Sequence, residues 1–146
     1  MRVCDLMDRE VLVCRLEDSV KDVVRIMKVN GFAPVVAVDE TGEVWGFISR
    51  LAVIRFYGED LERIRAEDAM RPYKFEVDPQ WPIEKAIALM KKTRFEHLII
   101  IDPHAGPKRP IGILSSFQIV WYMSQIERGR YAQVLRMLAG WTPSGS

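Results

Sequence analysis

Val20, Val23, Val24 and Met27 stand at the i, i+3, i+4, i+7 spacing that gathers apolar side chains on one face of a helix. Ile83, Ala86, Ile87 and Met90 repeat that face at a constant offset (83 − 20 = 63). The same offset relates Asp5 to Asp68, Met7 to Met70, Val38 to Ile101 and Asp39 to Asp102, so the chain is an internal duplication. Between Gly46 and Gly112 the offset becomes 66 (112 − 46 = 66), because the second copy has a longer turn, Asp102 to Pro110. Each copy predicts the same order of elements. An extended entry (Val11 to Val13; Phe75 to Val77) leads into a helix, announced by the N-cap Ser19 with Asp22 at the capping-box position and by Pro82 in the second copy. Gly31 ends the first helix in the usual way, whereas Arg94 stands at the matching place, so the second helix end is expected to differ in shape. Two strands follow, Ala33 to Val38 and Glu43 to Ser49, joined by a turn with Gly42 where positive φ is expected; their counterparts are His97 to Ile101 and Ile111 to Ser115. Further helices begin near Arg50 and Ser116.

Composition narrows the classes open to such a chain. At 146 residues, 49% hydrophobic, it can bury one core, whereas either half alone, at about 60 residues, is marginal; the halves are expected to fold as one unit. A net charge of +1 provides no broad attraction for nucleic acid or an acidic membrane surface. No apolar run reaches the roughly 18 residues that span a bilayer and the N-terminus lacks a signal-peptide pattern, so a cytoplasmic location is expected. Cys4 and Cys14, without CxxC or Cys/His spacing, point to neither a disulfide framework nor a metal site. Gly-rich phosphate loops, HExxH and nucleophile elbows are missing, and neither His97 nor His104 is flanked by an evident nucleophile, which argues against an enzyme and leaves no candidate catalytic residue.

The doubled β-α-β-β-α order, with Val3-Cys4-Asp5-Leu6-Met7 and Ala66-Glu67-Asp68-Ala69-Met70, Asp18-Ser19-Val20, Gly31 to Asp39, Gly46-Phe47-Ile48-Ser49 and Gly112-Ile113-Leu114-Ser115, resembles a tandem pair of CBS domains, the regulatory modules named after cystathionine β-synthase. The resemblance runs from Val3 to about Tyr122 and implies an α+β fold: two repeats (1–63 and 64–124) packed sheet to sheet as a pseudo-twofold disc, followed by an extension (125–146) with an extra C-terminal helix. It also implies a regulatory binding module that takes an adenosine-containing ligand (AMP, ADP, ATP or S-adenosylmethionine class) in the cleft between repeats, requires no cofactor, and signals in trans to an effector protein. The alternative is a CBS pair without ligand, serving as scaffold or dimerisation module.

The resemblance further places ligand contacts after the third strand of each copy, at Ser49, Arg50 and Ala52 and at Ser115, Ser116 and Gln118, and around the strand entries at Val13, Pro34, Phe75 and His97. A strand feeding a helix directs unsatisfied N–H groups and a positive dipole end into the cleft, which suits an anion, and Arg50 adds a charged donor. Where the family has Asp three residues after Ser or Thr to bind the ribose hydroxyls, this chain has Ala52, which offers no side-chain acceptor, and Gln118, which offers a neutral one. Ser115-x-x-Gln118 is equally a plain capping box, and Ser49 a plain cap. His97 either contacts a base or phosphate or is satisfied between the repeats. Lys108 and Arg109 either reach an acidic group or are solvated loop charges, and Arg71 to Lys74 either line a base pocket or serve as linker. Tyr131, Val134, Leu135 and Leu138 form an apolar helical stripe, with Trp121, Tyr122 and Trp141 adding aromatic area, and this stripe is expected to hold a homodimer or partner.

Overall fold

The computed structural model describes residues 1–126. The expected C-terminal stripe, Tyr131 to Leu138 with Trp141, lies outside the described residues. In the first repeat, Ser19 Oγ accepts from Asp22 N at 3.2 Å and starts α2 (Val20–Val29), whose buried row is Val20, Val23 and Met27. The Asp22 carboxylate meets Arg25 at 3.5 Å instead of closing a capping box. In the second repeat α5 (Ile83–Thr93) starts after Pro82 and buries Ile83 and Ala86. Arg94 takes the left-handed conformation (φ +63°) at the end of α5, donating its N–H to Met90 O at 2.8 Å. The two helix ends differ as expected: after α2 the chain takes two left-handed residues in a row, Gly31 (φ +70°) and Phe32 (φ +62°), and Phe32 N closes on Met27 O at 2.7 Å, whereas α5 turns at Arg94 alone.

A four-stranded sheet in the order β1 (Val13–Arg15), β2 (Val35–Val38), β3 (Val44–Ile48) and β4 (Arg71–Pro72) serves the first repeat, with β1 and β2 parallel and the other pairs antiparallel. The second repeat has β5 (His97–Ile101) antiparallel to β6 (Pro110–Ser115). The entry strands differ from expectation: the first keeps three residues but lies two positions later, at Val13–Arg15, and the second contracts to one parallel bridge between Val77 and Ile100. Both faces of β2 and β5 are covered. Val35 and Ala37 pack toward α2, and Leu98 and Ile100 toward α5, while Val36, Val38, Ile99 and Ile101 meet between the repeats. Burial on both faces explains why these strands read as continuous apolar runs rather than alternating ones.

The short helices show how the repeats are joined. α1 (Val3–Leu6) opens the first repeat in sequence, yet Val3 and Met7 lie in the core of the second with Val77, Ile83, Leu98 and Leu114. Val3 N donates to Trp81 O at 2.9 Å, and Asp8 bridges to Ile113. Conversely, α4 (Ala66–Ala69) opens the second repeat and buries Ala66 beside Cys14, Val23 and Ile48 of the first, after which Arg71 and Pro72 pair with Phe47 and Gly46. Each repeat thus lends its first turn to the other. The crossing explains the repeated glycines: a Cβ on Gly46 would stand 2.5 Å from Arg71 O and 2.9 Å from Met70 Sδ, and one on Gly112 would stand 2.5 Å from Met7 Sδ and 3.1 Å from Asp8 O.

Between the repeats Val36, Val38, Phe47, Tyr73, Ile99 and Ile101 form a shared core. The Tyr73 hydroxyl donates to Ile99 O at 2.9 Å and accepts from Ile99 N at 3.0 Å, so its burial leaves no polar atom unpaired, and burial pushes its pKa up. The long turn of the second repeat is part of the joint. Val44 N donates to Lys108 O at 3.0 Å, Arg109 Nε to Thr41 O at 2.9 Å, and Lys108 pairs with Glu76. The helices that follow β3 and β6 are α3 (Arg50–Ile54) and α6 (Ser116–Ile126).

Candidate functional site

A hollow of about 180 Å³ opens between the repeats. Leu12, Ala33 and Pro34 line it from the first repeat, His97, Ile113, Ser115 and Gln118 from the second, and Asp8 and Glu10 from the segment that crosses between them. Each residue is there for a local reason. Pro34 and His97 precede or begin the strands β2 and β5, and Ile113 and Ser115 lie on β6. The paired bridge hydrogen bonds of Asp8 to Ile113, both 2.8 Å, fix Asp8 at the rim, and its Oδ1 accepts from Glu10 N at 2.9 Å.

The polar groups at the start of α6 are largely engaged with one another. Ser115 Oγ accepts from Gln118 N at 3.2 Å, Gln118 Oε1 accepts from Ser115 N at 2.8 Å, and Ser116 N donates to Glu96 O at 2.8 Å. The capping box is closed, which leaves Gln118 its amide NH2 to present to a ligand. Desolvation holds the His97 pKa below its ordinary value, with Arg50 lowering it further and Glu96 opposing. His97 is therefore neutral near pH 7, a donor at one ring nitrogen and an acceptor at the other.

The symmetry-related cleft is furnished differently. Stepping from Asp8, Glu10, Leu12 and Pro34 by 63 positions leads to Arg71, Tyr73, Phe75 and His97, and from Ile113, Ser115 and Gln118 by 66 positions to Phe47, Ser49 and Ala52. Here aromatic rings pack on one another, with centroid separations of 5.5 Å for Phe47–Phe95, 5.5 Å for Tyr73–Phe75 and 5.8 Å for Phe75–Phe95. The Arg71 guanidinium lies 4.2 Å from the Phe95 centroid. Ser49 Oγ accepts from Ala52 N at 3.3 Å as the cap of α3, and Ala52 packs on the first repeat's core. Arg50 is exposed.

Of the residues expected at a site, the hollow gathers Pro34, His97, Ser115 and Gln118. Phe75 belongs to the aromatic cluster; Val13 is 47% exposed on β1, beside the hollow's Leu12; Ser49, Arg50 and Ala52 lie at the other cleft; and Ser116 contributes its backbone to Glu96. Asp8, Glu10 and Leu12 were not expected. The internal offset was the signal for them, since they are the mates of Arg71, Tyr73 and Phe75, two of which lie in the Arg71 to Lys74 stretch already singled out. Burial pushes the Cys14 thiol up to about 12, with Asp18 adding to the shift, so it stays protonated. Among the described residues no group of His, Cys, Asp and Glu is arranged to hold a metal ion, and no helix is long and apolar enough to cross a membrane.

Residues 3–59 and 66–125 each match the family model described as CBS domain. Among solved structures, the CBS domain pair of protein MJ0100, in complex with 5′-methylthioadenosine and S-adenosyl-L-methionine, superposes with a TM-score of 0.76 at 17% identity over 86% of this chain and 98% of that one. The CBS domain protein TA0289 of Thermoplasma acidophilum, of unknown function, gives 0.74 at 22% identity over 86% and 71%. The cytosolic domain of the Mg2+ channel MgtE, in complex with ATP, gives 0.67 at 24% identity over 80% of this chain and 46% of that one. Comparison with curated proteins returns no match. At these identities the superpositions carry the fold.

Proposed function

Because the chain belongs to the CBS-domain family, with two copies in tandem, we propose that it is a regulatory rather than catalytic module, which takes an adenosine-containing ligand between its repeats and signals to an effector protein in trans. The observation that supports this reading most is the hollow itself. Apolar walls at Leu12, Pro34 and Ile113 suit a flat base, and His97, Ser115 and Gln118 supply a few convergent polar groups. The CBS domain pair of MJ0100 is in complex with 5′-methylthioadenosine and S-adenosyl-L-methionine, and the MgtE cytosolic domain with ATP. The ligand belongs to that class, the AMP, ADP, ATP or S-adenosylmethionine family, and needs no further cofactor. A cytoplasmic location fits such a ligand.

A thermal-shift panel of adenosine compounds tests the reading. At a hundred times its dissociation constant a ligand selective for the folded state adds about 2.7 kcal/mol. At least one adenosine compound should raise the melting temperature of the wild type, and Ala33→Trp, which places a ring in the hollow from an exposed position, should abolish the shift. If no compound stabilises the folded protein, the pair is a scaffold. The closed capping box at Gln118 and the missing carboxylate at Ala52 are the observations that favour that second reading.

Signalling in trans needs an assembly surface, and we propose that a second copy docks on α3 and α6. Leu51, Ile54 and Tyr57 are exposed at 76%, 63% and 94%, and their mates at offset 66, Phe117, Val120 and Met123, at 76%, 62% and 50%. Both repeats thus present the same apolar row, and a twofold partner presents it back. Leu51→Glu with Phe117→Glu should halve the mass measured by light scattering while the far-ultraviolet spectrum is kept. A wild type that is monomeric at high concentration removes the proposal.

A further inference from the structure

The two clefts of the pair have opposite electrostatic character. Asp8 and Glu10 line the open hollow, while Arg71 and Tyr73 occupy the matching places in the aromatic-filled cleft. Both carboxylates are on the lining of the hollow, so a charge bound in it meets them at short range, where salt with a Debye length of about 8 Å screens only in part. No lysine or arginine lines the hollow itself, and the cation that the His97 titration feels, Arg50, is solvent-exposed at the start of α3. The helix start that ordinarily welcomes a phosphate is largely engaged: the N–H groups of Ser115, Ser116 and Gln118 already have Gln118 Oε1, Glu96 O and Ser115 Oγ as acceptors, which leaves the Phe117 N–H alone in that turn. His97 brings no cation near pH 7, since desolvation and Arg50 keep its pKa low.

We propose that the hollow between Pro34 and Gln118 selects an adenosine derivative without phosphate, its 5′ substituent neutral or cationic as in a thioether or sulfonium nucleoside, and that Asp8 and Glu10 are the residues that reject 5′-phosphates. This rests on the adenosine reading above and goes past it by choosing among ligands that the fold alone leaves equal. Polar groups suited to a nucleoside remain: the Gln118 amide and the His97 ring nitrogens.

Calorimetric titration of 5′-methylthioadenosine, S-adenosylmethionine and AMP into the full chain tests the choice, alongside the double variant Asp8→Asn with Glu10→Gln. The Asp8→Asn substitution keeps a side-chain oxygen to accept from Glu10 N, so the rim is expected to keep its shape. For the wild type, 5′-methylthioadenosine should bind at least about 10-fold more tightly than AMP at low salt, and the gap should narrow as salt is added. In the double variant AMP should gain about 10-fold, 5′-methylthioadenosine should change less than about 3-fold, and the sulfonium compound should weaken. Equal affinity of the wild type for AMP and 5′-methylthioadenosine, or an AMP affinity indifferent to both substitutions, overturns the selection rule and leaves the adenosine reading standing. No binding of any of the three compounds to either protein, with both melting cooperatively, overturns the adenosine reading and the selection rule together.

Discussion

Gly46→Ala should cost about 3 kcal/mol of stability and Gly112→Ala about 1 kcal/mol, although the two glycines are equivalent in the repeat. The difference lies in what each new methyl group meets. At Gly46 the nearest atom is a backbone carbonyl, Arg71 O at 2.5 Å, held by the pairing of β3 with β4. At Gly112 it is Met7 Sδ at 2.5 Å, the far end of a flexible side chain, with the Asp8 carbonyl further away at 3.1 Å. A thioether can turn aside; a paired peptide group moves only with its strand. Chemical denaturation of both variants, with and without Met7→Ala or Met70→Ala, tests this. Met7→Ala should couple favourably to Gly112→Ala, whereas Met70→Ala should leave most of the Gly46→Ala loss in place. Equal losses at the two glycines, or full rescue of Gly46→Ala by Met70→Ala, would show that the close backbone approach is not what the glycine serves.

Val3→Asp should destabilise the protein by about 4 kcal/mol or more, since it puts a carboxylate where a valine is wholly buried. The location of the damage matters more than its size. Val3 belongs to the first repeat in sequence, but its neighbours are Val77, Ile83, Leu98 and Leu114 of the second. Amide exchange under native conditions should therefore lose protection first in α5, β5 and β6, while α2 and β2 keep theirs. For the same reason a fragment beginning after about Arg65 should fold poorly, because it lacks the turn that closes its own core. Loss of protection in α2 before α5 would contradict the exchange of first turns.

Much of this architecture was legible in one dimension. Helix faces, caps at Ser19 and Ser49, the Gly42 turn and the doubled element order follow from local rules, in which residues a few positions apart must satisfy one another. A constant offset between copies made the pairing of like elements readable, and with them the fold. Among the site residues, Pro34, His97, Ser115 and Gln118 were reached through the resemblance to CBS domains, and they do line one hollow.

Other features depended on contacts between residues far apart in sequence. Residues 1–8 carry no mark of serving the second repeat, because an apolar residue such as Val3 or Met7 is equally content in either core; only the path of the chain assigns it. Lys108 and Arg109 read either as loop charges or as reaching an acidic group, and only the folded hairpin decides, bringing Glu76 to Lys108 and Thr41 to Arg109. The two clefts look alike as sequence, Ser-x-x-Ala against Ser-x-x-Gln. Packing makes them unlike, since Tyr73, Phe75 and Phe95 fill one against Phe47, while Asp8 and Glu10 open on the other. Sequence by itself determined two CBS repeats and the local chemistry of each turn, because those rest on spacing along the chain. Tertiary structure alone decided which repeat each first turn completes and which cleft stays open, because burial and charge at a cleft are set by what the other repeat brings to it.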